Sequence, residues 1–284
     1  MVKDKFSATW VSHSSMGDYL SCPRAYYLKN MYRDPKTNHK IVLMQPPLAL
    51  GQAVHEVVES LSSLPVDERF AAPLAARYET AWEKISGNMG GFENDEEEAR
   101  FKKRGSLMID RIEKHPGPLM RKAIKLRQDL PYYWLSEEDN IILCGKIDWL
   151  EYLEKTDSVH IIDFKTGKFD EDGSSLQLPI YVLLAGHTQT RAVSGVSYWY
   201  LDRDDEPTPM PRPVEEEAYT RVMEVAKKIQ LARKLEHFKC PKADGCRACR
   251  PLESILAHRA TFVGVGGYSQ DIYVPEKKAT DQIL

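Results

Sequence analysis

Ile161-Ile162-Asp163-Phe164-Lys165-Thr166-Gly167 puts two charged residues at the end of an apolar, β-branched run that begins at Val159. Such a run predicts a strand covered on both faces. Charge in that position is costly unless it has partners or a task. Residues two apart on a strand share a face, roughly 6–7 Å apart. Asp163 and Lys165 therefore project together, and Phe164 turns into the core. Fifteen residues before Asp163, Gly145-Lys146-Ile147-Asp148-Trp149 reads as part of a second strand. If the two strands pair, two carboxylates and one ammonium converge. Close carboxylates repel each other and favour a divalent cation, and oxygen ligands select the hard ions Mg²⁺ or Mn²⁺. A lysine beside such an ion can orient a water or offset charge developing at a phosphate. The same fragment also reads as a structural salt bridge between Lys165 and one aspartate, and local sequence leaves both open.

Two further features bear on that choice. In Leu176-Gln-Leu-Pro-Ile-Tyr-Val-Leu-Leu, Gln177 and Tyr181 lie four apart and share a helix face. Upstream, Gly51-Gln-Ala-Val-His55-Glu-Val-Val-Glu has a helical pattern, and His55 supplies a third ligand type from a separate helix. A lone helical histidine is commonly structural; the glycine before it and the carboxylates downstream favour a ligand.

Together these residues resemble the RecB-like branch of the PD-(D/E)XK nuclease superfamily. The matching motifs are G-x-x-x-H at Gly51 to His55, G-x-I-D at Gly145 to Asp148, D-x-K-T-G at Asp163 to Gly167 and Q-x-x-x-Y at Gln177 to Tyr181, in that order. The resemblance spans roughly residues 12 to 252. It implies a metal-dependent DNA nuclease with His55, Asp148, Asp163 and the Phe164 carbonyl around the metal. It further implies Lys165 as the catalytic lysine, and Gln177 and Tyr181 as the pair that positions DNA. The implied fold class is α/β, with a restriction-endonuclease-like core in the order αβββαβ. That core is a mixed sheet flanked by helices, with a helical insertion and an N-/C-terminal metal-cluster staple.

Composition is that of an ordinary globular chain: 284 residues, 42% hydrophobic and 29% charged. No run of about eighteen apolar residues predicts a membrane span. Met1-Val-Lys-Asp-Lys-Phe carries no apolar signal core, so a cytoplasmic location is expected. Net charge of −3 is not that of a generic nucleic-acid coat, although a local groove can still be basic.

In chain order the sequence divides into five parts. Residues 1–50 form an N-terminal helical segment, 51–128 a helical region carrying His55, and 129–205 the nuclease core. Residues 206–256 hold a long helix and the cysteine cluster, and 257–284 a tail. A strand is expected near Ala8 to Val11, and Ser14 or Ser15 can cap the helix after it. Residues 33–48 read as a polar loop and 66–127 as helical. Glu93-Asn-Asp-Glu-Glu-Glu98 reads as a solvated face or a helix N-terminus. Lys102-Lys103-Arg104 and the basic residues from Arg121 to Arg127 are candidates for a DNA-facing rim, or equally for solvated helix faces. Strands are expected at Leu130 to Leu135, Ile141 to Leu153, Val159 to Lys165 and Val193 to Leu201. A long amphipathic helix spans Val214 to Phe238. The tail from Ala257 reads as loop-like, with its last ten residues mobile.

Cys240-x₅-Cys246-x₂-Cys249 gathers three thiols in a polar loop, a pattern compatible with zinc or an iron–sulfur cluster. A fourth ligand is needed, and Cys22 is the natural candidate. In family relatives with an iron–sulfur cluster, one cysteine precedes the core and three follow it. The resemblance thus implies a [4Fe–4S] cluster stapling the two ends, with zinc as the alternative. The order of the two C-terminal gaps is reversed from the commoner pattern. Cys144, inside an apolar run, reads as a buried unliganded residue. Arg24, Tyr26 and Tyr27 follow Cys22-Pro23 and read either as DNA contacts or as core and rim residues. Cluster-bearing relatives act as exonucleases on single-stranded DNA or at DNA ends, some in CRISPR adaptation. The implied partner is DNA, single-stranded or at ends, with a protein partner in a repair or CRISPR-adaptation assembly. No P-loop occurs, so no helicase activity is expected. A protein that binds DNA ends without cleaving them is the competing reading.

Overall fold

The computed structural model describes residues 4–126 and 128–276. Strand β1 (Thr9–Val11) leads into helix α1 (His13–Ser21). Ser12, rather than Ser14 or Ser15, is the cap. Its hydroxyl accepts from the Ser15 amide, and the Ser15 hydroxyl accepts from the Ser12 amide. Four serine and histidine residues in a row hide which one caps until the chain direction is known. Cys22 ends α1. Pro23 then opens the short α2 (Pro23–Tyr26) at a position where a missing N–H costs nothing.

Strand β2 (Lys40–Leu43) lies within the stretch expected to be a polar loop. Helix α3 (Pro46–Ser60) buries Ala49, Leu50, Ala53, Val54, Val57 and Val58, a stripe at helical spacing. His55 and Glu59 fall on the adjoining face. Helices α4 (Ala75–Glu83) and α5 (Asp95–Lys114) complete this layer. The acidic run has a local cause. Asn94 caps α5 through the Glu97 amide at 2.8 Å, Asp95 to Glu98 fill the first turn, and Arg111 and Lys114 lie in the last. Both ends complement the helix dipole. Residues 121–126, expected to be helical, are instead extended and bridge to the sheet between Ala123 and Glu151. Pro116-Gly117-Pro118 ends the helical register before them.

The core follows as β3 (Tyr132–Ser136), β4 (Ile141–Cys144), β5 (Trp149–Leu153), β6 (Ser158–Lys165), α6 (Gln177–Thr188), β7 (Ala192–Tyr200), β8 (Thr208–Met210) and α7 (Glu215–Lys234). The stretch expected as one strand over Ile141 to Leu153 is two. Strand β4 joins the sheet β1-β4-β3, whereas β5 opens the sheet β5-β6-β7-β8. The break at residues 145–148 is where Gly145 passes over α6; a Cβ there would stand 3.0 Å from Leu184 Cδ1. Strands β5 and β6 pair antiparallel. Strands β6 and β7 pair parallel through the α6 crossover. Val159 and Ile161 face α6 and α7, and Ile162 and Phe164 face α3 to α5. This is the mixed α/β architecture, with sheets flanked by helices, that the sequence implies.

Helix α8 (Arg250–Leu256) is followed by a hairpin, β9 (Ala260–Gly266) and β10 (Gln270–Pro275). The tail expected to be loop-like therefore forms a sheet, with β10 pairing parallel to β2. That pairing is remote in sequence, so no local pattern announces it. A separate small core of Cys22, Leu28, Ile41, Cys249, Leu252 and Ile255 joins the two ends of the chain. Met1 to Lys3, Arg127 and residues 277–284, most of the tail expected to be mobile, lie outside the described residues. Among the described residues no helix is long and apolar enough to cross a membrane.

Candidate active site

The register that pairs Trp149 with Ile162 sets Asp148, at the start of β5, against Asp163 on β6. The Phe164 amide donates to Asp148 Oδ2 at 3.0 Å, which fixes the first carboxylate on the second strand. The Phe164 ring points the other way, into the core against Trp199. Helix α3 approaches because Gly51 has no side chain; a Cβ there would stand 3.3 Å from Thr166 Oγ1 of the D-x-K-T-G turn. One turn further, His55 Nδ1 lies 3.5 Å from Asp148 Oδ2 and 3.3 Å from Glu59 Oε1. Glu59 also holds Lys146.

Lys165 is enclosed by acceptors. Its Nζ lies 3.0 Å from Asp163 Oδ2 and 2.9 Å from Glu171 Oε2, and donates to Gln177 Oε1. The Tyr198 ring lies beneath it, 4.8 Å away. Gln177 Nε2 donates to Asp163 Oδ1 at 2.7 Å and reaches Tyr181 Oη at 3.3 Å. Gln177 and Tyr181 are both buried, because α6 is covered along its first nine residues. Their hydrogen bonds run inward, to the charged groups of the site and to each other.

Electrostatics match this crowding. Burial, and then the Asp163 charge, push the Asp148 carboxyl well above the usual carboxylate range. Burial works against a charged His55, but Glu59 and Asp148 prevail and raise its imidazole to about 9. Burial likewise opposes a charged Lys165, and Asp163 and Glu171 outweigh it. His13, at the start of α1, is lowered by burial and by the Lys165 charge, which places a second imidazole beside the site.

Sequence reasoning missed Glu59, Glu171, Lys146 and His13. Glu59 carried a signal, since it sits four residues after His55 on one helix face. Glu171 carried none, since a turn residue reveals nothing about what folds over it. The residues present fit a divalent cation. Ligand atoms of His55, Glu59 and Asp148 all lie within 4.8 Å of one another. Asp163 Oδ2 is buried with no aligned hydrogen-bond donor, although Lys165 is ion-paired to it. An imidazole with two carboxylates in that span, and Asp163 outside it on the neighbouring strand, suits a hard or borderline ion.

His55, Glu59 and Asp148 line a cleft of about 670 Å³ that residues 123–126, 128 and 129 border on its other side, while Asp163 and Lys165 stand behind Asp148 and do not line it. The expected basic rim is largely spent on internal pairs. Lys102 pairs with Glu79, Arg104 with Asp202, Arg121 with Glu151 and Lys122 with Glu154. Lys125, hydrogen-bonded to Ser63 Oγ at 3.0 Å, does line the cleft.

The second assembly is sulfur. One sulfur each from Cys22, Cys240, Cys246 and Cys249 lies within 4.8 Å of the others. Cys22 and Cys249 start α2 and α8, so two helix ends deliver two of the four. Arg24 pairs with Glu253 through two contacts, at 2.5 and 3.3 Å, and braces the same two helices. Tyr26 is core and Tyr27 packs on Phe238. Arg24, Tyr26 and Tyr27 thus each have packing or pairing partners within the fold. Backbone amides of Cys249 and Ala248 depress the Cys246 thiol to about 6, and burial raises Cys22 to about 12. Four thiolates this close need a cation, so the set fits a metal centre. Cys144 is apart, buried with its thiol directed at the Val11 carbonyl.

The model of the PD-(D/E)XK nuclease superfamily matches residues 10–252, most of the chain. The protein therefore belongs to that superfamily, whose nucleases use divalent metals. No curated protein matches the sequence.

Proposed function

We propose that the protein is a Mg²⁺- or Mn²⁺-dependent deoxyribonuclease, an exonuclease acting on single-stranded DNA or DNA ends. The observation that carries this reading is the pairing that sets Asp148, which lines the open cleft, against the Asp163–Lys165 pair on the neighbouring strand. His55, Asp148 and Asp163, with the Phe164 carbonyl and Glu59, would hold the metal. A divalent cation bound there supplies an acidified water and a polarised phosphate. Lys165 keeps its proton against burial and stands ready to offset charge on the phosphate. Gln177 is a positioning residue, locking Asp163 and Lys165 in one geometry, with Tyr181 behind it. The reverse strategy, a fold that binds DNA ends without cutting, would not need this set intact.

The four cysteines form a structural metal centre joining the chain ends. The layout of one cysteine before the core and three after supports a [4Fe–4S] cluster. A single zinc is the second reading, favoured by a specific distance. Zinc–sulfur bonds of about 2.3 Å give a tetrahedral edge of about 3.8 Å, and Cys246 Sγ lies 3.8 Å from Cys249 Sγ. A cubane spreads its ligand sulfurs farther, since each binds a different iron. Elemental analysis and visible absorbance of anaerobically purified protein decide between them.

The test is end-labelled single-stranded DNA with Mn²⁺, wild type beside Asp163→Ala. Cleavage by wild type alone is expected, and the product ladder gives polarity. No cleavage by wild type with its cysteine centre intact would replace the nuclease by the non-cleaving DNA-end binder. A partner in a repair or CRISPR-adaptation complex, in the cytoplasm, is the setting this reading fits.

A further inference from the structure

The C-terminal hairpin lies beyond residue 252, where the superfamily match ends. It is nonetheless part of the cleft. Its turn places Tyr268 among the lining residues, together with His55, Glu59, Lys146 and Asp148. Tyr268 is 98% exposed and carries the backbone at φ 58°, with Ser269 at φ 53°. Two successive left-handed residues make the turn that best suits a hairpin, but asparagine and glycine are the natural occupants. A bulky tyrosine there strains the backbone. It also leaves a whole aromatic ring in water, and the fold gains no packing from it. The ring projects at the mouth of a charged cleft rather than onto any neighbouring core.

We propose that Tyr268 is a stacking platform for an unpaired nucleobase of the DNA strand that enters the active site; this rests on the nuclease reading above. Three features of the cleft select that ligand. Lys125 lines it and offers an ammonium group to a phosphodiester backbone, while Lys146, also on its lining, is paired with Glu59. His55 and Asp148, at one end, would hold the metal ion that the nuclease reading calls for beside the scissile phosphate. Tyr268 offers a flat π face, which any base can cover regardless of sequence. A base in a duplex is already stacked and paired on both sides, so the ring is useful only to a base that has left the helix. The hairpin therefore biases the site toward single strands or frayed ends. Its anchorage suits the role. β10 is tied to β2 on one side and to β9 on the other, so the turn is carried on a three-stranded sheet.

The experiment measures binding without turnover. Wild type, Tyr268→Phe and Tyr268→Ala are titrated in chelator with a labelled single strand and the matching blunt duplex. The single strand carries 2-aminopurine near its end. Because Tyr268 packs on no core, all three proteins fold. Tyr268→Ala is expected to weaken single-strand binding on the order of tenfold, a typical loss for one base–aromatic stack. Tyr268→Phe should stay within about twofold of wild type, and duplex affinity should not move. Quenching of 2-aminopurine should require an aromatic ring at 268. Unchanged single-strand affinity in Tyr268→Ala overturns the proposal, as does an equal loss for single strand and duplex. Failure of the nuclease reading is seen separately, as absence of metal-dependent cleavage by wild type.

Discussion

Replacing Lys165 by alanine separates a catalytic lysine from a structural ion pair. Its ammonium stands 3.0 Å from Asp163 Oδ2 and 2.9 Å from Glu171 Oε2. At an effective dielectric near 20, one such pair is worth about 5 kcal/mol before desolvation. Truncation gives back the cost of burying the lysine but leaves two carboxylates facing each other. Breaking a buried pair in this way costs about 3–5 kcal/mol. In chelator the Lys165→Ala protein should therefore melt roughly 6–12 °C below wild type. Mn²⁺ should reverse much of that loss, because a cation replaces the missing positive charge. The melting temperature of the variant should then rise more with Mn²⁺ than that of wild type. Cleavage should fall by at least about a hundredfold, typical for loss of one preorganised electrostatic group. A purely structural salt bridge predicts the same melting loss with cleavage restored once Mn²⁺ has restored the fold. That last result, near-normal turnover in a refolded Lys165→Ala protein, refutes the catalytic assignment.

Three further outcomes follow from the same geometry. Metal-free His55 holds its proton up to about pH 9, and a metal requires the neutral imidazole. Mn²⁺ affinity measured by calorimetry should thus rise with pH, more steeply where the raised Asp148 carboxyl also loses its proton, and flatten above pH 9. A pH-independent affinity would exclude His55 from the ligand set. Gln177→Ala removes charge-assisted bonds to Asp163 and Lys165, each worth about 1.5–3 kcal/mol; kcat should drop with little change in KM for DNA. A raised KM with normal kcat would instead place Gln177 on the DNA, as the family resemblance implies. Cys22→Ser should strip the metal from the cysteine centre, read by elemental analysis, and lower the melting temperature. Cys144→Ser should keep the metal, since its sulfur lies outside the group of four.

The alternation around Asp163 carried most of the site into view. A strand places Asp163 and Lys165 on one side by its period of two, and a G-x-I-D segment fifteen residues earlier needs only a hairpin to meet it. The acidic run at Glu93 to Glu98 was legible for a similar reason, as helix-start chemistry is local. The features that sequence hid are those made by distant partners. Strand β2 and the β9–β10 hairpin stabilise each other across most of the chain length, and neither carries a strong pattern alone. Gly145 to Asp148 reads as continuous strand because its bend is imposed by α6 packing, not by a proline or a turn motif. Arg104 and Arg121 read as a basic rim because nothing local shows that Asp202 and Glu151 await them.

Helix α1 connects the candidate active site and the four-cysteine group physically. At its first residue, His13 faces the charges of Lys165, Glu171 and Asp163. Immediately after its last residue comes Cys22, one of the four thiols. Nine helical residues span about 13–14 Å. The strut is held at the sulfur end by the Arg24–Glu253 pair and at the other end by the Ser12 capping box and the pairing of β1 with β4. A metal at the cysteines therefore needs no electron transfer to matter to the active site. It fixes one end of the element whose other end walls in Lys165, and it anchors α8, from which the chain runs on into the hairpin that brings Tyr268 to the cleft. Removing that metal leaves His55, Asp148 and Asp163 in place on α3, β5 and β6, because those elements belong to other cores. What it loosens is the small core of Cys22, Cys249, Leu252 and Ile255 that ties α1 and α8 together, while Met16 keeps α1, and Ile272 and Val274 keep β10, in the larger cores. Loss of the cysteine centre should accordingly weaken DNA binding more than it weakens binding of Mn²⁺.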